Sequence, residues 1–230
     1  MKLIEAKNLA IGYGGKKIAE EINIEIEEGE YVCIIGENGA GKSTLVKTLL
    51  GLLKPIAGEI SFEQGLKQKD IGYIQQDMIV KGDFPATVLE IVRSGLLNTP
   101  GSEFFYSRQA KKIADENIEK LGIENLKHSS FRELSGGQRQ RTLIARALCS
   151  ASKVLFLDEP VAGLDIETQD ELYKILGKLH KEGMTIVMIS HDIDNAIANA
   201  THIVDMKRTG SIIEDTETFL KTKRCDCSIA

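Results

Sequence analysis

The chain has 230 residues, of which 42% are hydrophobic and 27% are charged. This length and apolar content suit one packed α/β domain and are inconsistent with intrinsic disorder. Acidic residues outnumber basic ones, 34 to 29, which gives a net charge of −5. A chain with this balance lacks the overall positive field of a non-specific nucleic-acid binder, so we expect no nucleic acid among its partners. Four cysteines are also too few for a disulfide scaffold.

The sequence shows neither a membrane span nor an export signal. No apolar run approaches the roughly 20 residues that a membrane-spanning helix needs. Glu5 and Lys7 interrupt the N-terminus where a signal peptide has its apolar stretch. We therefore expect a soluble, cytosolic chain that reaches a membrane only through a partner.

The first third of the chain predicts strands around one glycine-rich loop. Ile22, Ile24 and Ile26 alternate with polar residues, which is typical of a half-exposed strand in an antiparallel layer. Residues 31–35 form an unbroken apolar run, as expected of a strand that is buried on both faces. Further strands are predicted at 2–10, 58–62 and 71–74, and a helix is predicted at 42–52.

The rest of the chain predicts helices first, and then strands that alternate with helices. Apolar residues recur at three- and four-residue spacing over three segments, which predicts three helices. These segments are 87–97, 108–121 and 138–149. Apolar runs then predict strands at 154–157, 185–189 and 202–205, separated by helices at 167–181 and after His191. This alternation implies a mainly parallel sheet with helices on its faces, into which the three-helix segment is inserted as a lobe.

The glycine-rich loop matches the phosphate-binding pattern G-x-x-x-x-G-K-[ST], and it has the required strand before it and helix after it. The loop consists of Gly36, Glu37, Asn38, Gly39, Ala40, Gly41, Lys42, Ser43 and Thr44. Glycines allow backbone amides to turn toward phosphate oxygens, and the start of the helix adds positive potential. We expect Lys42 to reach the β- and γ-phosphates of a nucleotide and Ser43 to bind Mg²⁺.

An acidic pair follows the predicted strand 154–157. Asp158 stands at the C-terminal end of this strand, which is where α/β sheets bind ligands. We expect Asp158 to hold Mg²⁺ through its water shell, and Glu159 to orient and polarise the water that attacks the γ-phosphate. An acidic residue after an apolar strand is common by itself. Together with the phosphate loop, it predicts nucleotide hydrolysis.

The segment Leu134-Ser135-Gly136-Gly137-Gln138, with a predicted helix after it, resembles the signature sequence of ATP-binding cassette (ABC) ATPases. The phosphate loop and the acidic pair stand in the order of that family, and the resemblance extends from about residue 2 to residue 215. It implies an ATP-hydrolysing α/β fold with a P-loop NTPase core, an N-terminal antiparallel β layer and an inserted helical lobe. We expect a single domain over residues 1–230. Its catalytic core comprises residues 1–76 and 152–215, its helical lobe comprises residues 77–151, and its tail comprises residues 216–230.

Four further residues resemble functional positions of the same family. Gln76 resembles the Q-loop glutamine, with a role at Mg²⁺ and in catalysis, although the adjacent Gln75 stands where the family usually has proline and leaves the choice open. Residues 163–165, Gly-Leu-Asp, resemble the D-loop, which makes Asp165 a candidate nucleotide-binding residue. His191 resembles the switch histidine that contacts the γ-phosphate. Tyr13 resembles the aromatic residue that stacks on adenine, although a tyrosine near a strand end often simply packs.

The signature is a second anion-binding helix start in a chain that already has one in its phosphate loop. The resemblance implies that Ser135, the amides of Gly136 and Gly137, and Gln138 serve the nucleotide of another copy. Two chains would then face head to tail, with each ATP held between Lys42 of one copy and Ser135 of the other. Such a symmetric dimer has two equivalent sites.

The single cassette without a membrane span resembles the separate ATPase subunit of an importer-type ABC transporter. That resemblance implies a peripheral position on the cytoplasmic side of the membrane, transmembrane permease subunits as partners, and an extracytoplasmic substrate-binding protein reached through the complex. Residues 83–88, D-F-P-A-T-V, resemble the zinc and manganese importer branch. Siderophore and vitamin importers share much of this layout, and a cytosolic ABC protein that remodels nucleic acid or ribosomes is a further alternative.

Overall fold

The computed structural model describes residues 1–63, 66, 70–75, 85–97, 107–207 and 211–226. The chain divides into two compact units. The first unit comprises residues 1–66 and 185–230, and the second comprises residues 67–184. The predicted boundaries of a catalytic core and a helical lobe remain a prediction.

The described elements follow one another as strands, helices, and then strands that alternate with helices. The strands are β1 (Lys2–Tyr13), β2 (Lys16–Glu27), β3 (Tyr31–Ile35), β4 (Ala57–Phe62), β5 (Ile71–Ile74), β6 (Val154–Asp158), β7 (Thr185–Ile189), β8 (His202–Met206) and β9 (Ser211–Asp215). The helices are α1 (Lys42–Leu49), α2 (Val88–Ser94), α3 (Arg108–Lys120), α4 (Gly136–Leu148), α5 (Ile166–Lys181), α6 (Ile193–Asn199) and α7 (Thr216–Asp226).

The first unit contains the predicted antiparallel layer, a three-stranded sheet in the order β2-β1-β4. Ile22, Ile24 and Ile26 of β2 are buried, whereas the polar residues between them are exposed or half-buried. The period-two alternation therefore does mark a strand with one buried face. Strand β1 is longer than predicted because Tyr13 pairs with Lys16 across a tight turn.

The first unit also contains strand β3, which lies between β7 and β8 and is parallel to both. All five residues of β3 are buried, as its unbroken apolar run predicts. All five residues of β7, four of them apolar, are buried as well. Burial raises the pKa of the Cys33 thiol in β3 to about 12, so this cysteine stays protonated as a small core residue. Because β3 ends at Ile35, the phosphate loop leaves the sheet at the C-terminal end of its parallel strands.

In the second unit, β5 and β6 form a parallel pair, and helices α2, α3 and α4 pack on one another. Thr87 begins α2 with a capping box: its hydroxyl accepts from the Glu90 amide, and the Glu90 carboxylate accepts from the Thr87 amide at 2.8 Å. Part of the D-F-P-A-T-V segment therefore has a local structural role. Asp83 and Phe84 of that segment lie outside the described residues.

Strand β9 and helix α7 were not predicted from the sequence. Strand β9 pairs antiparallel with β8, at the edge of the otherwise parallel strands of the first unit. Helix α7 occupies most of the segment expected to be a tail. It is fixed at its start by the Thr216 hydroxyl, which donates to the Ala200 carbonyl at 2.7 Å, and by the buried ring of Phe219.

Within the part of the chain that is described, no helix has both the length and the apolar character that crossing a membrane requires.

Candidate functional site

The phosphate loop connects β3 to α1 within the first unit. Gly36 has a φ of 143°, and a Cβ atom there would lie 2.6 Å from the Met206 carbonyl oxygen. Gly41 has a φ of 97°, and a Cβ atom there would lie 3.0 Å from Ile18 Cγ2. Gly36 and Gly41 therefore both need to be glycine. Gly41 is also the N-cap of α1, and it offers no side chain to the first amides of the helix. Helix starts of this kind bind anions such as phosphate.

The ammonium group of Lys42 is held against the loop. Lys42 is only 6% exposed, and its Nζ donates to the carbonyl oxygens of Gly36 at 2.9 Å and Glu37 at 3.0 Å. A buried ammonium requires such acceptors because its desolvation is costly. The positive charge is thereby placed inside the loop, where it can neutralise phosphate oxygens.

A cavity of about 660 Å³ lies beside the phosphate loop in the first unit. Its walls come from the loop, the turn after β7 and the end of β8. They are formed by Ile35, Gly36, Glu37, Asn38, Ala40, Ser190, His191, Ile193, Asp205, Met206 and Lys207. The structure therefore brings His191 to the same cavity as the loop, while its predicted contact with the γ-phosphate stays a prediction. Asp205 and Lys207 had not been predicted there, because they belong to no recognisable motif.

Ser190 fixes the turn that carries His191. Its amide donates to the Ile34 carbonyl of β3 at 3.2 Å, and its hydroxyl accepts from the Asp192 amide at 3.0 Å. Asp192 in turn accepts from the Asn195 amide at the start of α6 at 3.1 Å. His191 thus lies between one residue bound to the sheet and another bound to a helix.

Replacing Ser190 by alanine should therefore destabilise the protein. The Ser190 side chain is 2% exposed, and its loss removes the acceptor of the Asp192 amide. We expect the free energy of unfolding to fall by about 1 kcal/mol and the melting temperature by roughly 2–4 °C, measured by calorimetry. Ser152→Ala, at an exposed serine, is the control and should change the melting temperature less. Equal melting temperatures for Ser190→Ala and the parent would contradict this role.

Tyr13 lies at the end of β1, with its side chain 51% exposed. A Cβ atom on the preceding Gly12 would overlap with the Lys16 carbonyl, so the hairpin is closed tightly next to the tyrosine. The alternative that Tyr13 packs in the core does not hold. An exposed ring at this position is consistent with stacking on a base, which stays a prediction.

In the second unit, Asp158 and Glu159 lie at the C-terminal end of β6. Asp158 is 2% exposed, as the last residue of a fully buried strand, whereas Glu159 is half-buried. Glu159 has a φ of 52°, a left-handed conformation that costs on the order of 1–2 kcal/mol for a residue with a side chain. The chain turns sharply at this residue. Strain of this kind is concentrated at functional sites.

The turn after Glu159 is tied to the start of α5. The Gln169 side-chain amide donates to the Leu164 carbonyl at 2.8 Å. Asp165 is the N-cap of α5, and its carboxylate accepts from the Thr168 amide at 3.0 Å and from the Thr168 hydroxyl at 2.7 Å. These two bonds hold the pKa of the Asp165 carboxyl below its usual value. Asp165 thus stays ionised and keeps the helix start ordered.

The signature residues begin helix α4, also in the second unit. Ser135 is the N-cap: its hydroxyl accepts from the Gln138 amide at 3.3 Å, and the Gln138 side chain accepts from the Ser135 amide at 3.0 Å. This capping box orders the helix start, while Ser135 and Gly136 remain exposed. Gln138 therefore has a structural role in addition to the nucleotide-binding role predicted for it. The helix start can receive an anion from outside the chain.

Gln76 lies outside the described residues, so its predicted role at Mg²⁺ stays a prediction. The adjacent Gln75 is described and is half-buried, directly after β5. The remaining predicted site residues fall into two groups. The first unit contains Tyr13, residues 36–44 and His191, and the second contains residues 135–138, Asp158, Glu159 and Asp165.

Two curated bacterial proteins are similar to almost the whole chain. The zinc uptake system ATP-binding protein ZurA of Listeria innocua is 36% identical over 215 residues, which cover 90% of this chain and 83% of the relative. The manganese transport system ATP-binding protein MntB of Bacillus subtilis is 36% identical over 203 residues, which cover 84% of this chain and 78% of the relative.

Solved structures show the same fold. CbiO1 from Clostridium perfringens, part of the ABC transporter complex cbiONQ, superimposes with a TM-score of 0.84 at 32% identity, covering 99% of this chain and 94% of that one. The ATP-binding cassette MJ0796 was solved as a dimer in a post-hydrolysis state with ADP and Pi. It has a TM-score of 0.76 at 28% identity, and the match covers 93% of this chain and 99% of that one. The predicted α/β P-loop NTPase class is thereby confirmed.

The family described as "ABC transporter" matches residues 19–162, which include the phosphate loop, the signature and the acidic pair. Because this match spans more than half of the chain and the relatives span nearly all of it, the chain belongs to the ABC transporter family and is one of its nucleotide-binding, ATP-hydrolysing subunits.

Proposed function

We propose that the chain hydrolyses Mg-ATP as a head-to-tail dimer and drives a membrane permease that imports divalent zinc or manganese. The observation that carries the metal assignment is the similarity to a zinc uptake and a manganese transport ATP-binding protein, each 36% identical over most of this chain. The D-F-P-A-T-V segment supports the same branch of the family.

In this proposal, one chain supplies the phosphate-binding half of each ATP site. The loop 36–44 surrounds the phosphates with its amides, and Lys42 neutralises the β- and γ-phosphates from its position under the loop. Tyr13 stacks on the adenine. His191 contacts the γ-phosphate, a role supported by its place in the wall of the cavity beside the loop.

The residues predicted to hold Mg²⁺ fit that ion chemically. The Ser43 hydroxyl would be a hard oxygen ligand, and the Asp158 carboxylate would hold the ion through its water shell. The burial of Asp158 limits competition from bulk water. Mg²⁺ commonly takes one or two such protein ligands and completes its shell with water and phosphate oxygens. Gln76 is the third candidate ligand. When bound, the ion stabilises the negative charge that develops on the phosphates.

Glu159 acts as the general base of hydrolysis. Its carboxylate accepts a proton from water while the water oxygen attacks the γ-phosphorus and the bond to the β–γ bridging oxygen breaks. The left-handed backbone at Glu159 supports this role, because it separates a half-exposed carboxylate from the buried one of Asp158.

The second half of each ATP site comes from the partner copy. Ser135 and Gly136, at the start of α4, are exposed and ordered, and Asp165 fixes the neighbouring start of α5. The γ-phosphate supplies the contact that favours the closed dimer, and its loss after hydrolysis favours opening. This cycle is transmitted to permease subunits from the cytoplasmic side of the membrane. An extracytoplasmic substrate-binding protein delivers the metal to the complex.

A gene deletion with matched complementation tests the assignment. We expect the deletion strain to contain several-fold less zinc or manganese in metal-limited medium, as measured by mass spectrometry of washed cells. The intact chain should restore the metal content, and Lys42→Ala should not, because a phosphate-loop lysine typically contributes strongly to nucleotide binding. Lys47→Ala is the matched control, since Lys47 lies on the same helix outside the loop.

Two outcomes would overturn the proposal. Normal zinc and manganese content with reduced uptake of a ferric siderophore or a vitamin would move the chain to another importer branch. Normal uptake of all of these, with the chain sedimenting with ribosomes rather than with membranes, would identify a cytosolic ABC protein instead.

A further inference from the structure

The starts of helices α4 and α5 touch each other in the second unit. A Cβ atom on Gly137 would overlap with the Thr168 methyl carbon Cγ2, while the next nearest atom, the Thr168 Cβ, would lie 3.6 Å away. A Cβ atom on Gly136 would lie 3.2 Å from Leu164. The two signature glycines therefore lie directly on residues of the D-loop and of the first turn of α5.

The Thr168 methyl group is not a flexible surface atom. Thr168 is β-branched, which restricts its χ1 rotation, and its hydroxyl donates to the Asp165 carboxylate at 2.7 Å. Turning the methyl group away from Gly137 would break this hydrogen bond. The Thr168 amide donates to the same carboxylate, so the backbone is fixed as well.

A second contact follows the same faces of the two helices. The Arg141 guanidinium donates to the Glu171 carboxylate. Arg141 lies one helical turn after Gly137 on α4, and Glu171 lies one turn after Thr168 on α5. The Gly137–Thr168 contact is thus the first of two successive contacts along one helix pair, and it is the one at the signature.

We propose that Thr168 is a positioning residue for the signature: its methyl group, fixed by Asp165, packs on Gly137 and sets the position of the start of α4. The importance of this position rests on the proposed function, in which the start of α4 binds the nucleotide of the partner copy. Glycine at 137 is then required by an intramolecular contact and not only by the approach of a nucleotide.

The test is a rescue experiment in chains that carry Glu159→Gln, in which the ATP-bound dimer should accumulate. Adding Gly137→Ala should raise the ATP concentration that gives half-maximal dimer by about tenfold or more, as measured by light scattering, because a buried methyl group must be accommodated. Alanine is otherwise the better helix former, so the sign of this effect is diagnostic.

Adding Thr168→Ser removes the overlapping methyl group and keeps the hydroxyl that binds Asp165. We expect the double change Gly137→Ala/Thr168→Ser to recover most of the lost affinity, to within about threefold of the parent, since the remaining contacts are ordinary ones. Gly137→Ala/Thr142→Ser, which removes a buried threonine methyl group elsewhere on α4, is the matched control and should not recover it. If Gly137→Ala alone does not fold, recovery of folded, ATP-binding protein by Thr168→Ser counts as rescue.

A double variant no better than Gly137→Ala alone would overturn the positioning role of Thr168. If instead the Glu159→Gln parent forms no dimer with Mg-ATP, the proposed function fails. The melting temperatures of the single and double variants then still report whether Thr168 packs on Gly137.

Discussion

Replacement of Glu159 by glutamine should reduce steady-state ATP hydrolysis by about 10²–10⁴-fold, because glutamine cannot accept the proton of the attacking water. Glutamine has nearly the same size, so the left-handed turn after β6 should be as well tolerated as with glutamate. ATP should still bind and close the dimer. Since the γ-phosphate is no longer removed, the closed dimer should accumulate.

Two measurements check this expectation together. Release of inorganic phosphate gives the turnover rate, and size-exclusion chromatography with light scattering gives the mass with Mg-ATP and with Mg-ADP. Glu167→Gln is a matched control, because it removes an exposed carboxylate from the first turn of α5. Normal turnover in Glu159→Gln would exclude Glu159 as the base. Lost turnover without a dimer would show that the change acts on binding rather than on the chemical step.

The sequence predicted those parts of the molecule whose pattern is local. The five apolar residues of β3 predict a strand that is buried on both faces, as observed. The glycines of the loop after it are required by their positive φ angles. His191 was identified as a candidate by its resemblance to the switch histidine, and it lies in the wall of the cavity beside the loop. The capping box of Ser135 and Gln138 could also have been predicted, from the S-x-x-Q spacing.

The parts that the sequence did not predict depend on distant partners. Strand β9 is short. Besides pairing with the neighbouring strand β8, it is stabilised by the Ser211 hydroxyl, which donates to the Asn23 carbonyl, 188 residues away in the chain, at 3.1 Å. The sequence of helix α7 contains only two large apolar residues, Phe219 and Leu220, so its apolar pattern is weak. The contact of Thr168 with Gly137 likewise joins residues far apart in the chain.

Mixing two inactive variants should restore ATP hydrolysis if each ATP site is shared between two copies. One variant is Lys42→Ala, which loses the phosphate-loop charge. The other is Ser135→Asp, which keeps a good N-cap for α4 but places a negative charge where a phosphate would bind. Each variant alone has two defective sites per dimer. A mixed dimer has one site with both Lys42 and Ser135 intact and one site with neither.

Random pairing of equal amounts gives half mixed dimers, so about a quarter of the wild-type sites should be intact in the mixture. We expect phosphate release to rise toward that fraction from the low rate of either variant, and to depend on the mixing ratio with a maximum at equal amounts. Chains that carry both Lys42→Ala and Ser135→Asp, mixed with either single variant, are the control and should restore nothing, because no pairing then yields an intact site. Failure of the two single variants to complement, with both folded and able to dimerise, would mean that Ser135 serves the nucleotide of its own chain.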